Sequence, residues 1–198
     1  MVTGSRLFFF GLLAAWGLER LFEVALSRRN ARRALARGGV EVESRGFYAA
    51  MVAVHGLLFF AAPLEVVALE RPFRPALALA ATAAVGAAMA LRYWAVATLG
   101  DRWNTRLIVV PGEPAVAEGP YRWVRHPNYV AVAVEMAALP LVHGAWISAL
   151  AWSAASALLL ALRIPREEAA LARASDYAAR LGDRPRFLPG GRARGGGR

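Results

Sequence analysis

Gly119-Pro-Tyr-Arg-Trp-Val-Arg-His-Pro-Asn-Tyr129 runs directly into the apolar stretch Val130–Val142. The chain turns at His143-Gly144 and returns through Ala145–Leu162 to Arg163-Ile-Pro-Arg-Glu-Glu168. Two polar clusters therefore bracket an apolar pair. A helical hairpin is the simplest reading, because lipid leaves no backbone polar group unsatisfied and helices meet that demand within one segment. Its two arms run antiparallel, so Arg163 and Glu167 come back to the level of His126. The two clusters then frame one pocket at one face of a bilayer.

Working outward, three more apolar segments precede the hairpin: Leu7–Leu26, Tyr48–Leu69 and Pro75–Leu99. With Tyr129–Val142 and Ala145–Leu162 they make five. A span needs about 20 apolar residues; the fourth is short and is expected to continue through Pro140. With 58% hydrophobic residues in 198 and a positive mean hydropathy, the chain is too apolar for a soluble domain of this size. The fold class is thus all-α, an integral membrane protein of about five transmembrane helices. Residues 1–189 form one membrane-embedded domain, and 190–198 form a Gly/Arg-rich tail expected to be disordered and to lie on anionic lipid.

Every one of the 24 basic residues is Arg, and the formal net charge is +10. Such a charge raises the question of nucleic acid, but these arginines flank apolar segments and read as basic loops of a membrane protein. In an alternating five-span arrangement nineteen of them fall on one side and three (Arg6, Arg71, Arg74) on the other, with Arg20 and Arg92 inside spans. The positive-inside rule then puts the N-terminus outside and the C-terminus in the cytoplasm, in the inner membrane if the cell is bacterial. Trp103 and Trp123 fall near the cytoplasmic interface and Trp146 near the other. The first segment does not read as a cleaved leader, since only Arg6 precedes it and Glu19-Arg20 interrupts the cleavage region. There is no Cys, which removes thiolate nucleophiles, disulfides and Cys-ligated metals, and no ligand triad suggests a metal site.

Between the third and fourth segments, Pro111-Gly112 and Gly119-Pro120 break the connection into turns, with Leu107–Val110 as a short extended piece. His126 precedes Pro127, so it avoids helical backbone, while Pro127 favours the first helical position. The fourth helix then opens at Asn128 and Tyr129 with free N–H groups suited to carboxylates and hydroxyls. Tyr121, Trp123 and Tyr129 offer aromatic faces for an adenine ring or a sulfonium. The same residues also suit an interfacial collar of anchors and phosphate contacts. Pro165 is expected to end the fifth helix, and a further helix to run from Arg166 to Leu181, stopped by Gly182. Arg163 reads either as a pocket cation or as a snorkelling side chain, and Glu167 either as a pocket carboxylate or as a helix-dipole partner.

Inside the spans lie Glu19, Arg20, Glu23, His55, Glu65, Arg92 and Glu135. Each costs about 2.5–3.5 kcal/mol or more unless it has a partner or a function. Arg92 is expected to pair with Glu23 or Glu135. His55 is either a packed polar residue or part of a substrate cavity, and Glu65 lies toward the outer surface.

The motif Gly-Pro-Tyr-x-x-x-Arg-His-Pro-x-Tyr at 119–129, followed by Arg-x-x-x-Glu-Glu at 163–168, resembles the isoprenylcysteine carboxyl methyltransferase family over roughly Leu91 to Pro189. Glu19-Arg-Leu-Phe-Glu23, Arg29-Asn30, His55, Arg92-Tyr-Trp94 and Gly100-x-x-Trp-Asn-Thr105 are similar to its bacterial branch, associated with O-methylation of alkylpyrones and related phenolic lipids. The resemblance implies S-adenosyl-L-methionine as cofactor, held by Glu113, Pro114, Ala115, Val116, Tyr121, His126, Pro127, Asn128, Tyr129 and Glu167. It links Arg163 to a lipid-borne substrate. Ala131 departs from the family, many of whose members have Gly there. Methyl transfer to an enol or phenol gains from a cation that favours the anion, for which Arg163 or Arg92 is the candidate, or from a base such as Glu135 or His126. The expected partners are a lipid-borne small molecule and membrane lipids, not nucleic acid. Two readings stand against it. One is an NADPH-dependent sterol-type reductase, a group with a similar Arg-His-x-Asn-Tyr run, against which the shortness of this chain weighs. The other is a non-catalytic lipid-binding protein.

Overall fold

In the computed structural model the described residues are 2–189; the tail expectation for 190–198 lies outside them. Five long helices carry the fold: α1 (Val2–Ala36), α2 (Arg45–Ala68), α3 (Pro75–Leu99), α4 (Pro127–Leu141) and α5 (Trp146–Ala174). A short α6 (Tyr177–Leu181) follows. The α2, α3 and α5 helices are long and apolar enough to cross a membrane. The α4 helix has only 15 residues, and α1 is interrupted by Glu19, Arg20 and Glu23.

Local chemistry sets the helix starts. Ser44 Oγ accepts the Phe47 N–H at 3.2 Å to cap α2. Pro75 and Pro127 occupy first-turn positions of α3 and α4, where a missing N–H costs nothing. The buried face of α3 is mostly small: Ala78, Ala81, Val85, Ala88 and Ala95. Such residues let helix backbones approach closely where no hydrophobic force favours association, and α4 packs between α3 and α5. Toward the α4–α5 turn the core is formed by Phe9, Leu13 and Trp16 of α1, Leu58 and Val66 of α2, Val85 of α3 and Met136 and Leu139 of α4. At that turn Gly144 adopts φ 71°, and the His143 ring lies between Phe9 and Phe73 at centroid distances of 5.8 and 5.3 Å.

Three sequence expectations need correction. The first helix is not confined to Leu7–Leu26. It runs about 50 Å, longer than a hydrocarbon core, and its last part binds the α3–α4 connection. Asn30 Nδ2 donates to the carbonyls of Gly100 (3.1 Å) and Trp103 (2.9 Å), and Ser27 Oγ lies 2.8 Å from Thr105 Oγ1. Next, Pro165 does not end α5. It removes one N–H, but Leu, Ala, Arg and Glu on either side favour helix, and side-chain bonds from Arg163, Glu167 and Glu168 hold the stretch in place. Finally, no helix spans Arg166–Leu181. The chain breaks at Ser175-Asp176, where Ser175 Oγ donates to Leu171 O (2.9 Å), accepts from Tyr177 N (3.2 Å), and Asp176 turns to the Ala115 N–H. Such local side-chain bonds compete with helix continuation. Gly182 does follow α6 as its C-cap, its N–H donating to Ala178 O at 3.0 Å.

The extended piece at Leu107–Val110 becomes a two-residue strand, β2 (Ile108–Val109). It pairs antiparallel with β1 (Val40–Glu41), Val40 opposite Val109. This ties the α1–α2 loop to the α3–α4 connection. Glu65, expected at the periphery, has a structural task. It accepts from Ile147 N (3.1 Å) and from both N and Oγ of Ser148 (2.7 Å each), capping α5 from another helix.

Between the dry core and the motif end lies a buried ionic layer. Arg92 clamps Glu23 with Nε and Nη2, both at 2.5 Å. Arg20 reaches Glu23 (3.1 Å) and Glu135 (3.5 Å), also pairs with Glu19, and stacks over Trp16 at 5.2 Å. Three carboxylates thus share two guanidiniums. Arg92→Met leaves three carboxylates to one guanidinium, whereas Glu23→Gln leaves two of each. Breaking a buried pair costs about 3–5 kcal/mol. Arg92→Met is therefore expected to lower the thermal unfolding temperature of the detergent-solubilised protein clearly more than Glu23→Gln. Equal losses would contradict the charge imbalance.

Candidate active site

The motif loop is positioned by backbone geometry before any side chain acts. Gly119 adopts φ 53°, and a Cβ there would lie 2.3 Å from Thr98 Oγ1 on α3; both features demand glycine. Pro120 and Tyr121 then form a 3₁₀ turn. Arg184 donates to the carbonyls of Ala117 (3.2 Å) and Tyr121. Beyond α6 the chain runs back along the motif: Arg125 N donates to Pro185 O (2.9 Å) and His126 N to Arg186 O (3.0 Å). The C-terminal segment thus fixes the loop from outside.

His126 lies just before α4 with φ −129° and is 4% exposed. Its Nε2 donates to Glu168 Oε1 at 3.0 Å, which leaves Nδ1 as the acceptor of the neutral ring. The ring stacks on Tyr129 at 5.3 Å and 25°. Glu168 also takes Arg125 (3.1 Å) and Arg186 (2.7 Å). One residue earlier, Glu167 accepts the Tyr129 hydroxyl and lies 3.9 Å from Arg163 Nε. Because α5 is continuous, Arg163 and Glu167 stand one turn apart on the same face. Arg163 also donates to Thr105 O (2.8 Å), touches Met51 Sδ (2.9 Å) and reaches Glu43 (3.4 Å). The imidazole of His126 and the carboxylate of Glu167 thus lie at one rim, as the hairpin reading requires.

Burial and charge tune the groups outside the helical spans. Burial, aided by Glu167, pushes the Tyr121 hydroxyl well above its ordinary value, so it remains a donor. Burial, with Glu168 nearby, pushes Tyr177 up to about 12. Burial also raises Glu43 against the pull of Arg163. The Ala115 N–H, at 2.6 Å, holds Asp176 below the ordinary aspartate range.

A cavity of about 930 Å³ opens inside this frame. Of the residues singled out from the sequence, Glu113, Pro114, Ala115, Val116, Tyr121, His126, Asn128, Tyr129, Glu167, Arg163 and Arg92 all line it. Pro127 does not; it is buried as the first residue of α4. Glu135 is also off the wall, 1% exposed within the ionic layer. Ala131 is fully buried and not among the lining residues, so its methyl bears on helix packing. Segment 113–116 is held at both ends of its chemistry. Glu113 pairs with Arg37 (3.0 Å) and Arg102 (3.2 Å), and Arg102 Nη1 donates to Pro114 O at 2.6 Å. The Ala115 carbonyl takes Arg180 at 3.3 Å.

Sequence reasoning missed several participants. Glu168 was visible beside Glu167 but had no role until its helical angle put it on His126. Glu43, Thr105 and Met51 meet Arg163 only through tertiary folding. Asn104 lines the cavity with both side-chain polar atoms buried and unpartnered, as do Asn128 Oδ1 and the Tyr177 hydroxyl. These atoms are sealed within the wall, and unmade hydrogen bonds of this kind cost about 1–3 kcal/mol each. The opposite wall is apolar. There Ala14, Gly17, Leu18 and Leu21 of α1 face Val52, Phe59 and Phe60 of α2.

The model of the isoprenylcysteine carboxyl methyltransferase (ICMT) family matches residues 79–173, from within α3 to the end of α5. The chain is 34% identical over 164 residues to the uncharacterized protein YpbQ of Bacillus subtilis (strain 168), covering 82% of this chain and 96% of that protein. It is 25% identical over 158 residues to an uncharacterized protein of Haemophilus influenzae, covering 77% and 88%. With the motif geometry and the membrane-length helices, these matches establish that the chain belongs to the isoprenylcysteine carboxyl methyltransferase family of integral membrane methyltransferases.

Proposed function

We propose that this protein transfers a methyl group from S-adenosyl-L-methionine to an oxygen of a lipid-borne acceptor at the membrane interface. The acceptor is an alkylpyrone or phenolic lipid hydroxyl, or a prenylcysteine-type carboxylate. One observation carries the reading: a single cavity joins a polar rim made by the family motif to an apolar wall between α1 and α2. A water-soluble donor and a greasy acceptor can each enter from their own phase and meet without either crossing the other's medium.

The rim suits an adenosyl amino acid. Its ammonium and hydroxyls match the carboxylate of Glu167, and its adenine ring and sulfonium match the aromatic faces of Tyr121 and Tyr129. When bound, the cofactor supplies an electrophilic methyl group on a sulfonium. The chain's own residues bind and align. Glu167, with Tyr129 donating to it, gives the rim a fixed negative charge. Arg163, anchored by Thr105 O and Glu43, presents a cation at the junction of rim and apolar wall. There it favours an acceptor oxygen in its anionic form. Alignment in a desolvated site is worth several kcal/mol in an in-line displacement.

Five spans with the N-terminus outside and the rim in the cytoplasm follow from the arginine distribution. Aromatic–guanidinium pairs at both ends support two interfaces. At one end Arg71 lies over Trp146 (5.1 Å); at the other Arg122 lies over Trp123 (3.8 Å), which meets Trp94 at 5.4 Å. The chain lacks Cys, so single cysteines report topology directly. Arg74→Cys is expected to react with an impermeant maleimide on intact cells, and Pro111→Cys only after the cells are opened. The reverse pattern would invert the orientation.

Calorimetry on detergent-purified protein is expected to detect S-adenosylmethionine and its demethylated product. Glu167→Ala is expected to weaken that binding by about 10- to 100-fold, the loss of a charge-assisted contact. Arg163→Ala should leave it within a few-fold while abolishing most turnover. Absence of cofactor binding, or NADPH oxidation in its place, would overturn the assignment. Lipid extracts from cells with and without the protein, compared by mass, identify the acceptor through a methyl increment.

A further inference from the structure

We propose that His55 is the catalytic base for a hydroxyl acceptor, so that this cavity serves an enol or phenol and not a carboxylate. The inference rests on the methyltransferase reading and narrows its substrate class. A carboxylate acceptor is already ionised at neutral pH and needs no base. A phenol or enol must lose a proton as its oxygen takes the methyl group.

The geometry starts from the His55 ring. Its Nδ1 lies 2.7 Å from the Met51 carbonyl. A carbonyl can only accept, so Nδ1 carries the hydrogen, and in the neutral imidazole Nε2 carries the lone pair. Nε2 has no hydrogen-bond partner among the described residues and is not among the sealed polar atoms. His55 lines the cavity. Its place on the wall is fixed from outside, because Trp152 Nε1 on α5 donates to the carbonyl of Val54, the preceding residue. A base held by packing and by a second hydrogen bond is a preorganised one.

Its depth is also informative. Arg163 touches Met51, one turn from His55, or about 6 Å along the helix axis. His55 thus stands one turn beyond the cation at the rim, where the polar part of the cavity gives way to the apolar wall. That is where the ring of a lipid-borne enol or phenol would come to rest with its tail between α1 and α2. Charged groups of the packed elements surround the ring. Arg20 of α1, Arg92 of α3 and Arg163 of α5 act on it electrostatically. Glu23 of α1 also faces the cavity.

The carboxylates that line this cavity are committed. Glu23 gives both oxygens to Arg92, Glu167 holds Tyr129 and Arg163, and Glu135 is off the wall in the ionic layer. His55 is left with a free lone pair. In the step, the acceptor O–H bond breaks and its proton passes to Nε2. The oxygen's electron pair forms the O–CH₃ bond, and the C–S bond breaks with its pair returning to sulfur. The methylsulfonium leaves as a neutral thioether, and the positive charge ends on the imidazolium. His55 precedes residue 79, so this base lies outside the segment shared with the family model.

The test compares His55→Asn, whose amide N–H can replace Nδ1–H toward Met51, with His55→Gln. Retained S-adenosylmethionine affinity certifies the fold of each. With an alkylphenol, turnover is expected to fall by about 10²-fold or more, the usual worth of a general base, with KM changed little. With an alkyl dinitrophenol, already ionised at neutral pH, both variants should keep near wild-type turnover. The low-pH fall of wild-type kcat with the alkylphenol, where the ring becomes protonated, should vanish in the variants. A readout without cofactor is the absorbance of bound alkyl nitrophenol: its ionisation should be coupled to binding in the wild type and uncoupled in His55→Asn. Equal losses for both phenols, or a retained low-pH limb, would overturn the role of His55 while leaving the methyltransferase reading intact. Absence of cofactor binding in the wild type would instead remove the reading beneath it.

Discussion

Everything at the site depends on two adjacent carboxylates on an unbroken α5. Successive residues on a helix point about 100° apart. Glu167 therefore faces the cavity, where it takes the Tyr129 hydroxyl, while Glu168 faces the loop and takes His126, Arg125 and Arg186. One carboxylate serves the ligand side and the other holds the wall that the ligand meets. A helix ending at Pro165 would uncouple Arg163 from Glu167 and release both. The continuity of α5 through a proline is thus the constraint from which the rim follows.

A second constraint is dielectric. Charges inside an apolar slab persist only when paired, and the ionic layer of Arg20, Arg92, Glu19, Glu23 and Glu135 obeys that rule. It separates the dry core near the α4–α5 turn from the cavity at the other end. Arg20, Glu23 and Arg92 belong to both, since they stabilise one another and also line the cavity. Arg92 and Arg163 each keep one nitrogen without a hydrogen bond, Nη1 and Nε, but Arg92 is bound twice to Glu23 at 2.5 Å, which makes it the weaker candidate for anion stabilisation.

Much of this was legible in the sequence because the decisive features are local. Pro127 after His126 fixes where α4 begins, and the apolar runs fix the hairpin, so the convergence of residues 126 and 167 follows from counting. The misreadings have one cause: tertiary contacts that outvote local preference. Pro165 reads as a stop, yet bonds from its neighbours hold the helix. Asp176 reads as a helix residue, yet the Ala115 N–H draws it out. Glu65 reads as lying toward the outer surface with no task, and its place beside the α4–α5 turn agrees with that position, but only the fold shows that it caps a helix 80 residues on. Glu43 stands in no motif and Asn104 stands in one that assigns it no role; only the fold brings them to Arg163 and to the cavity.

The two halves of the chain divide the work. The shared segment 79–173 contributes most of the rim: residues 113–116, the motif loop, Arg163 and Glu167. The α1 and α2 walls, with His55 and Met51, lie before it. Those walls carry exposed apolar side chains: Leu18, Leu21 and Phe60 are 68%, 67% and 75% exposed. Gly17 lets the Phe59 ring approach so closely that a Cβ would fall 2.6 Å from it. Shape on this side is set by residues that the family model does not cover. Membership therefore speaks to the rim of the cavity. On the proposed reading the acceptor is chosen by the N-terminal helices, where a neutral imidazole among guanidiniums is suited to an oxygen that arrives still carrying its proton.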